Sequence, residues 1–305
     1  MGIIEQPPSP LVPRLAGVHL FGFDGAPCSQ RVSFALAEKG LKRCGRVQWA
    51  DAKPGSLSAP PGHYLFREVS LIRHENMTEA FAQIQPNMVI PALVHDGRLV
   101  IESMDIIDYL DEMWPENPLF PVEPGAAALC RELVDEGKAL HVAIRYVSFH
   151  WSLGSIGKTD AATQAEIARL QRSGSPEQLA EFYAKFNDDA IDEATFRGHL
   201  QALESAYESQ QRRLASDGRP YLTGEQFTMA DIIWSIKVLR LIECGYPLQR
   251  NFPLLAAWYE RVAARPGFRA GVFANNRVFH YGFRMKAFIE NLFGRGIRGA
   301  SRAAA

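Results

Sequence analysis

The stretch NMVIPALVHDGRLVIESMDIIDYLDE, residues 87–112, decides the fold of this chain. Its Asp96-Gly97 pair stands between two short apolar runs of β-type residues. A pair of this kind predicts a tight hairpin, because both turn residues need positive φ angles. Behind the second run, Ser103 can cap a helix whose apolar residues recur at helical spacing. The stretch therefore predicts a strand, a tight turn, a second strand and a helix.

Two features of this stretch suit a peptide ligand. Pro91 at the head of a strand cannot donate to a ladder, so the backbone around Ile90 can pair with something else. We expect a cis Ile90–Pro91 bond, which would present the Ile90 amide and carbonyl to an extended peptide. Glu102-Ser103 opens the helix, where backbone amides and the positive dipole end favour a carboxylate. A peptide with a free α-carboxylate would satisfy both features, and glutathione meets that description.

These residues resemble the thioredoxin-like domain of glutathione transferases. The resemblance covers nearly the whole chain and implies the glutathione transferase fold, an α/β N-terminal thioredoxin-like domain followed by an all-α C-terminal domain. It implies that the Ile90 backbone, before Pro91, pairs with the cysteinyl part of glutathione. It also implies that Glu102 and Ser103 hold the γ-glutamyl end. A thioredoxin-like hairpin without a ligand is the alternative, but that hairpin has no need of an acidic residue at Glu102.

Val89 departs from the family pattern. It stands where many members carry a lysine or a glutamine for the glycine carboxylate of glutathione, although apolar residues also occur there in the dehalogenase-like branch. The departure leaves a poorly active or partner-dependent subunit as a further possibility.

Composition indicates an ordinary folded protein. The chain has 305 residues, a formal net charge of -1 and 47% hydrophobic residues, and none of these suggests a nucleic-acid partner or a disordered chain. Its four cysteines are scattered, with no CxxC pair. We therefore expect no metal site, no disulfide framework and a reducing, cytoplasmic location. No stretch is long and apolar enough to span a membrane.

The first half of the chain follows the order expected of a thioredoxin-like domain over residues 17–114. Residues 1–16 are expected to be a flexible tail, and proline-rich residues 115–124 a linker. A surface loop is expected between the first helix and the second strand. The predicted elements are a strand at 18–23, a helix at 30–39, a loop at 42–61, a strand at 66–72 and a helix at 77–84.

The second half, residues 125–276, is expected to be an all-helical substrate domain. Ser175-Pro176 has the cap and first-turn proline of a helix start, within extra helical material at 155–190 whose role the sequence does not reveal. In YLTGEQFTMADIIW, residues 221–234, Thr228 and Asp231 form a capping box. The stretch resembles the buried helix that nucleates the second domain of glutathione transferases, so Asp231 is expected to be a folding residue. The other predicted helices are 126–151, 161–172, 194–214 and 252–264.

The C-terminal tail, residues 277–305, mixes aromatic and basic residues. A basic amphipathic helix could lie on a membrane surface. The alternative, which we favour from the irregular aromatic spacing, is a tail that packs its aromatics onto the helical domain.

Two neighbouring residues are candidates for activating the glutathione thiol. A hydroxyl or thiol at a helix N-terminus lowers the thiol pKa by donating a hydrogen bond. Cys28 fits the CSxK/R pattern of bacterial tetrachlorohydroquinone reductive dehalogenase and could form a mixed disulfide with glutathione. Ser29 lies near the usual candidate serine of β-etherases and could stabilise only the thiolate. Ala26 occupies the catalytic serine position of the zeta class. For Cys28, a buried and inert thiol is the alternative.

An apolar, aromatic pocket in the second domain would suit a phenolic substrate with a leaving group. Tyr146, His150 and Trp151 are spaced to line it, although each could equally be core.

The expected function is therefore that of a glutathione transferase-like enzyme. Its glutathione thiolate would displace a leaving group from a hydrophobic aromatic substrate. We favour cleavage of the β-aryl ethers of lignin-derived dimers, for which Ser29 should matter more than Cys28 because ether cleavage needs no protein thiol. Reductive dehalogenation of a chlorinated phenol is the second possibility. A non-catalytic subunit that stabilises a partner is the third, and a homo- or heterodimer is expected.

Overall fold

The computed structural model of the chain describes residues 2–171 and 178–301. The chain folds into two compact units. The first comprises Met1–Glu116 together with Lys158–Ala190, and the second comprises Asn117–Gly157 together with Ile191–Ala305. The extra helical segment that the sequence analysis assigned to the all-helical domain therefore clusters with the first unit.

A six-stranded mixed sheet forms the centre of the first unit, in the order β1-β6-β5-β2-β4-β3. Strand β2 is parallel to β4 and antiparallel to β5, and the β5–β6 hairpin is antiparallel. Every residue of β2 is buried, as is typical of a central strand covered on both faces. The strands are β1 (Ile3–Ile4), β2 (Val18–Gly22), β3 (Lys42–Gln48), β4 (His63–Glu68), β5 (Ala92–His95) and β6 (Arg98–Ile101).

The helices that flank this sheet are α1 (Pro27–Glu38), α2 (Glu79–Ala82) and α3 (Ser103–Met113). The hairpin prediction is confirmed, since Asp96 and Gly97 have φ angles of 49° and 77° between β5 and β6. The prediction that Ser103 caps α3 is wrong, because Ser103 is the first residue of the helix. Glu102 holds the cap position without a side-chain cap hydrogen bond.

The predicted loop at 42–61 is wrong over its first part, because Lys42–Gln48 forms edge strand β3, parallel to β4. Its residues alternate between exposed and half-buried, and Val47 is its one strongly β-forming apolar residue. A strand that buries so little apolar surface leaves only a weak pattern in the sequence. Strand β4 begins three residues before the predicted strand for the same region.

The N-terminal segment is part of the first unit rather than an extended tail. Ile3 and Ile4 pair antiparallel with Val100 and Leu99 of β6, and Val12 is fully buried. The segment therefore adds an edge strand and covers apolar surface.

Helices α6 (Ala161–Leu170) and α7 (Leu179–Asn187) belong to the first unit. Arg169 of α6 forms an ion pair with Glu79 of α2, with 3.0 Å between Nη2 and Oε2. The rings of Phe182 and Phe186 in α7 are stacked, with centroids 5.7 Å apart. The helix start predicted at Ser175-Pro176 lies outside the described residues.

The second unit is helical. Its helices are α4 (Pro124–Ala139), α5 (His141–Ser148), α8 (Glu193–Asp217), α9 (Met229–Glu243), α10 (Leu248–Asn251), α11 (Pro253–Ala263), α12 (Pro266–Phe268) and α13 (Ala274–Leu292). The predicted helix at 126–151 is broken at Leu140, between α4 and α5. None of the helices in the described parts of the chain is long and apolar enough to cross a membrane.

Helix α9 is the buried centre of this unit, and its start has the predicted capping box between Thr228 and Asp231. Asp231 is fully buried and accepts hydrogen bonds from the Leu222 and Thr228 amides and from Trp258 Nε1, at 3.0, 2.9 and 2.9 Å. One carboxylate thus joins a loop, a helix start and α11. This environment supports a folding role for Asp231.

The expected packing of the C-terminal aromatics onto the helical unit is found only in part, in α13 and in Phe293 directly after it. Phe279 and Phe283 are half-buried, but Tyr281, Phe288 and Phe293 are exposed.

Candidate active site

Three segments of the first unit meet at one edge of the sheet, the one where strands β2 and β6 end and strand β5 begins. In the antiparallel register Phe21 lies opposite Ala92, so the end of β2 and the beginning of β5 share an edge. Ala92 also lies opposite Ile101, which brings the end of β6 to the same edge. The turn into α1, the Ile90–Pro91 peptide and Glu102-Ser103 therefore lie side by side. The topology thus assembles all the candidate residues that the sequence analysis drew from this unit.

The first turn of α1 carries both candidates for thiol activation. Pro27 is its first residue, which suits a position where no backbone N–H is needed, and Cys28 and Ser29 follow. Helix α1 therefore begins three residues before the predicted start at residue 30. Cys28 is half-buried, whereas Ser29 is only 1% exposed. The two side chains therefore differ in access.

The Ser29 side chain stabilises the turn that precedes α1. Its Oγ accepts a hydrogen bond from the Phe23 amide at 3.2 Å. A Cβ placed on Gly22 would lie only 2.8 Å from this Oγ, so glycine is needed there for the close packing. Ser29 thus faces the end of β2 and fixes the turn.

The turn is also held from the edge strand. Arg43 of β3 forms an ion pair with Asp24, at 2.9 Å between Nη1 and Oδ1, and its guanidinium lies over the Phe66 ring. Gln30 Nε2 donates to the Asp24 carbonyl at 3.0 Å. The strand that the sequence analysis missed therefore supports the loop beside Cys28.

The Ile90–Pro91 peptide bond is cis, as predicted. Ile90 is buried and Val89 is half-buried. Asn76 Nδ2 donates to the Met88 carbonyl at 2.7 Å and holds the preceding residues in place.

Glu102 has a strained backbone. Its φ of 66° lies in a region that residues with a Cβ rarely adopt, at a cost of about 1–3 kcal/mol. Its Oε1 accepts a hydrogen bond from Asn87 Nδ2 at 3.1 Å. Strain of this kind concentrates at ligand sites, where it sets the direction of a group. At Glu102 the strained backbone determines the direction in which the chain enters α3. The N-terminal amides of α3 face the sheet edge where β2 and β6 end.

Arg31 is a further member of the site that the sequence analysis did not single out. It is 3% exposed, and its Nη1 donates to Ser103 Oγ at 3.3 Å. Its Nε and Nη2 have no hydrogen-bond partner among the described residues. A buried charge without a counter-ion is costly, so this guanidinium favours an anion nearby. The signal was available, because Arg31 is the basic residue of the CSxK/R pattern that selected Cys28.

These features fit glutathione. The uncompensated charge of Arg31 and the start of α3 suit its α-carboxylate at Ser103, and the backbone of Ile90 suits its peptide. The Arg31–Ser103 bond also leaves the Ser103 hydroxyl proton available to donate.

Tyr146, His150 and Trp151 lie in the second unit, and His150 and Tyr146 pack against α8. His150 stacks on Phe196 with centroids 4.0 Å apart, and its Nε2 lies 3.0 Å from Glu193 Oε2. Burial lowers the pKa of His150, although the Glu193 carboxylate opposes the shift. Trp151 is buried. These contacts agree with core packing, and the role of the three residues in a substrate pocket stays a prediction.

Two family models match the chain. The model described as glutathione S-transferase, N-terminal domain, matches residues 20–118, and that of the C-terminal domain matches residues 179–266. Glutathione S-transferase 1 of Dianthus caryophyllus is 30% identical over 243 residues, which cover 78% of this chain and 83% of that protein. Glutathione S-transferase U6 of Arabidopsis thaliana is 32% identical over 123 residues, and that match spans 44% of the relative and 39% of this chain.

The structure is also similar to solved structures. That of β-etherase LigF from Sphingobium sp. strain SYK-6 has a TM-score of 0.68 and 21% identity, and the match covers 83% of this chain and 98% of that one. At this identity the similarity concerns the fold. The expected fold, a thioredoxin-like α/β part and a helical part, is confirmed.

Proposed function

The chain belongs to the glutathione S-transferase family, and from this premise we propose that it is an enzyme that uses glutathione to cleave aryl ethers. The observation that carries the glutathione part of the proposal is the buried Arg31, whose guanidinium touches Ser103 and has two nitrogens without a hydrogen-bond partner in the described part of the chain. In a thioredoxin-like hairpin that binds no ligand, this buried charge would only destabilise the fold. In a binding site, the carboxylate of a peptide ligand would compensate it.

The proposed binding site uses each segment of the sheet edge for one part of glutathione. The Ile90 backbone would pair with the cysteinyl part, and Glu102 and Ser103 would hold the γ-glutamyl end. Arg31 would act as a positioning residue, because it fixes Ser103 and attracts the carboxylate. Val89 offers no polar group to the glycine carboxylate, so we expect modest affinity.

The geometry supports Cys28, rather than Ser29, as the residue that activates the thiol. Cys28 is half-buried at the first turn of a helix of 12 residues, where the N-terminal amides and the dipole favour a thiolate. The Ser29 hydroxyl accepts from the Phe23 amide and is only 1% exposed, so a glutathione thiol reaches it less readily than it reaches Cys28. From the sequence we expected Ser29 to matter more than Cys28, whereas the geometry favours the opposite order.

The chemistry supplied by bound glutathione is nucleophilic displacement by its thiolate. In ether cleavage a carbon–sulfur bond forms while the carbon–oxygen bond breaks, and the phenolate that leaves takes up a proton from water. The protein's part is to hold the glutathione backbone, to stabilise negative charge at the start of α1 and to orient the electrophile. The likeness to the β-etherase fold supports this choice of reaction.

The test is a turnover assay with a β-aryl ether whose phenol is fluorescent when released. The proposal predicts one glutathione consumed for each phenol released, and no glutathione disulfide. No turnover by the chain alone, with turnover restored by a second chain, would instead identify a partner-dependent subunit.

A second candidate, reductive dehalogenation of a chlorinated phenol, is favoured by the access of Cys28. The first step would again be thiolate displacement, with chloride as the leaving group. The Cys28 thiolate would then attack the sulfur of the glutathione adduct and form a mixed disulfide. The carbon–sulfur bond breaks in this step, and the ring carbon takes up a proton from water to give the reduced phenol. A second glutathione would restore Cys28 and give glutathione disulfide. Chloride release with two glutathiones consumed per product distinguishes this reaction from ether cleavage.

We further propose a dimer and a cytoplasmic location for the enzyme. Family members commonly dimerise, and light scattering at micromolar concentration tests this directly. The scattered cysteines suit a reducing compartment.

A further inference from the structure

Helix α13 presents an apolar stripe to the outside. Its members are spaced three and four residues apart alternately, which puts them on one face over roughly 22 Å of helix. All are exposed, from Val278 at 84% to Phe288 at 59%. The stripe, as we use the term, consists of Val278, Tyr281, Met285, Phe288 and Leu292.

The orientation of α13 is set by its opposite face. Asn276, His280 and Ala287 are buried, and His280 Nδ1 lies 3.0 Å from Glu243 Oε1 of α9. Because Glu243 is itself fully buried, this contact fixes which side of α13 faces inwards. The stripe therefore cannot turn towards the core without breaking the buried contact between His280 and Glu243.

Basic residues border the stripe. Arg277 and Arg284 are both exposed, and their seven-residue spacing places them along one edge. Residues 274–301 contain five arginines and lysines but only one acidic residue, Glu290, in a chain whose net charge is -1. Glu290 pairs with Arg295 and is half-buried, so it does not neutralise this edge.

We propose that this face of α13 docks on an anionic lipid surface. An apolar stripe that includes Tyr and Phe, bordered by arginines, is the pattern of a helix that lies in the interface plane of a membrane. Exposed apolar patches of this extent mark interaction sites. The arginine edge attracts anionic head groups while the stripe enters the acyl boundary.

A second copy of the chain is less well suited to this face. In an antiparallel two-fold pair of α13 helices, the arginine edges of both copies would flank the same side of the interface. The stripe carries no carboxylate to offset their repulsion. An anionic surface provides that charge. The membrane alternative that the sequence analysis ranked second is therefore the one that the charges favour.

The test is co-sedimentation of the full chain with vesicles. We expect sedimentation with phosphatidylcholine vesicles that contain phosphatidylglycerol and much less with phosphatidylcholine alone. Arg277→Gln with Arg284→Gln should weaken binding by about fivefold for each charge removed. Val278→Ser should weaken it by a further several-fold, because it removes apolar surface from the stripe.

Val122→Ser is the matched control, because Val122 is 89% exposed and lies outside α13. It should bind vesicles as the parent chain does. Arg14→Gln, at another exposed arginine, is the control for charge. Equal sedimentation of the stripe variants and the parent would overturn the proposal. A second pair of results would also overturn the proposal: the parent chain does not bind anionic vesicles, and Val278→Ser converts a dimer into a monomer. These results would mean that a second copy of the chain covers the stripe.

Discussion

Arg31 and Ser103 join α1 to α3 through a hydrogen bond of 3.3 Å between Nη1 and Oγ. Both residues are buried, and the remaining nitrogens of Arg31 have no partner among the described residues. Arg67, in the same unit, is fully buried too, but it donates to the carbonyls of Trp49, Asp51 and Ser56 and to His19 Nδ1. One buried arginine is thus satisfied by the fold, and the other keeps two nitrogens that the proposed glutathione carboxylate would satisfy.

This contrast predicts opposite effects of the same substitution. Arg31→Met should weaken glutathione binding by about tenfold or more, because Ser103 loses its donor and the carboxylate loses a nearby charge. The free energy of unfolding should stay the same or rise, since an uncompensated buried charge is removed. Calorimetry and urea unfolding measure the two quantities.

Arg67→Met is the matched control for that experiment. It should lower the free energy of unfolding by about 3–5 kcal/mol, because it leaves several buried carbonyls without their donor. Equal destabilisation in both variants, with unchanged glutathione affinity in Arg31→Met, would assign Arg31 a purely structural role.

The assignment of the thiol-activating residue predicts a separation of variants. Cys28→Ala should lower kcat by about a hundredfold or more if Cys28 stabilises the thiolate, because alanine cannot donate a hydrogen bond. Ser29→Ala should mainly lower the free energy of unfolding, by about 1 kcal/mol, because the Phe23 amide loses its acceptor. Cys44→Ser, at an exposed cysteine of β3, is the control and should change neither quantity. Full activity in both Cys28→Ala and Ser29→Ala would show that neither residue activates the thiol.

The sequence predicted those parts of the site that depend on local rules. The hairpin at Asp96-Gly97, the cis Ile90–Pro91 bond and the Thr228–Asp231 capping box each follow from a few neighbouring residues. What depends on distant packing was missed. Edge strand β3 has a weak apolar pattern, and residues 158–190 pack with the first unit although they follow two helices of the second.

The difference between Cys28 and Ser29 could not be read from the sequence either. Both residues are small and adjacent at a helix start, and only the fold decides which one faces the end of β2. Arg31 was visible as part of a motif. Its burial and the absence of a counter-ion among the described residues became apparent only in three dimensions.

The capping box of α9 predicts a large stability effect at Asp231. Asp231→Ala should lower the free energy of unfolding by about 3–5 kcal/mol, because two amides and Trp258 Nε1 would lose their buried acceptor. Asp160→Ala removes an exposed cap, which accepts from the Thr163 amide, and should cost about 1 kcal/mol. Comparable losses in the two variants, measured by urea unfolding, would show that the buried network adds little.

The buried His19 predicts a pH dependence of stability. Burial, and then the charge of Arg67, lower the pKa of His19 to about 4 from 6.5. The unfolded chain therefore binds more protons between these values, and stability is lost as pH falls from 6.5 towards 4, by on the order of 2 kcal/mol.

His19→Gln should remove this part of the pH dependence. The fall in the free energy of unfolding between pH 6.5 and 4 should be smaller in the variant than in the parent. Other histidines with lowered pKa values contribute equally to both chains, so the difference reports on His19. Parallel stability curves would mean that His19 is not neutral in the folded state.

The central claim, that glutathione binds at the shared edge of β2, β5 and β6, is tested most directly by calorimetric titration of Glu102→Ala with glutathione. Alanine keeps the Cβ at this strained position but removes the carboxylate that the γ-glutamyl end would contact. We expect binding to weaken by about 1.5–3 kcal/mol, the worth of a hydrogen bond to a charged group. Glu112→Ala, near the far end of α3, should bind glutathione as the parent does. Unchanged affinity in Glu102→Ala would contradict this placement of the site.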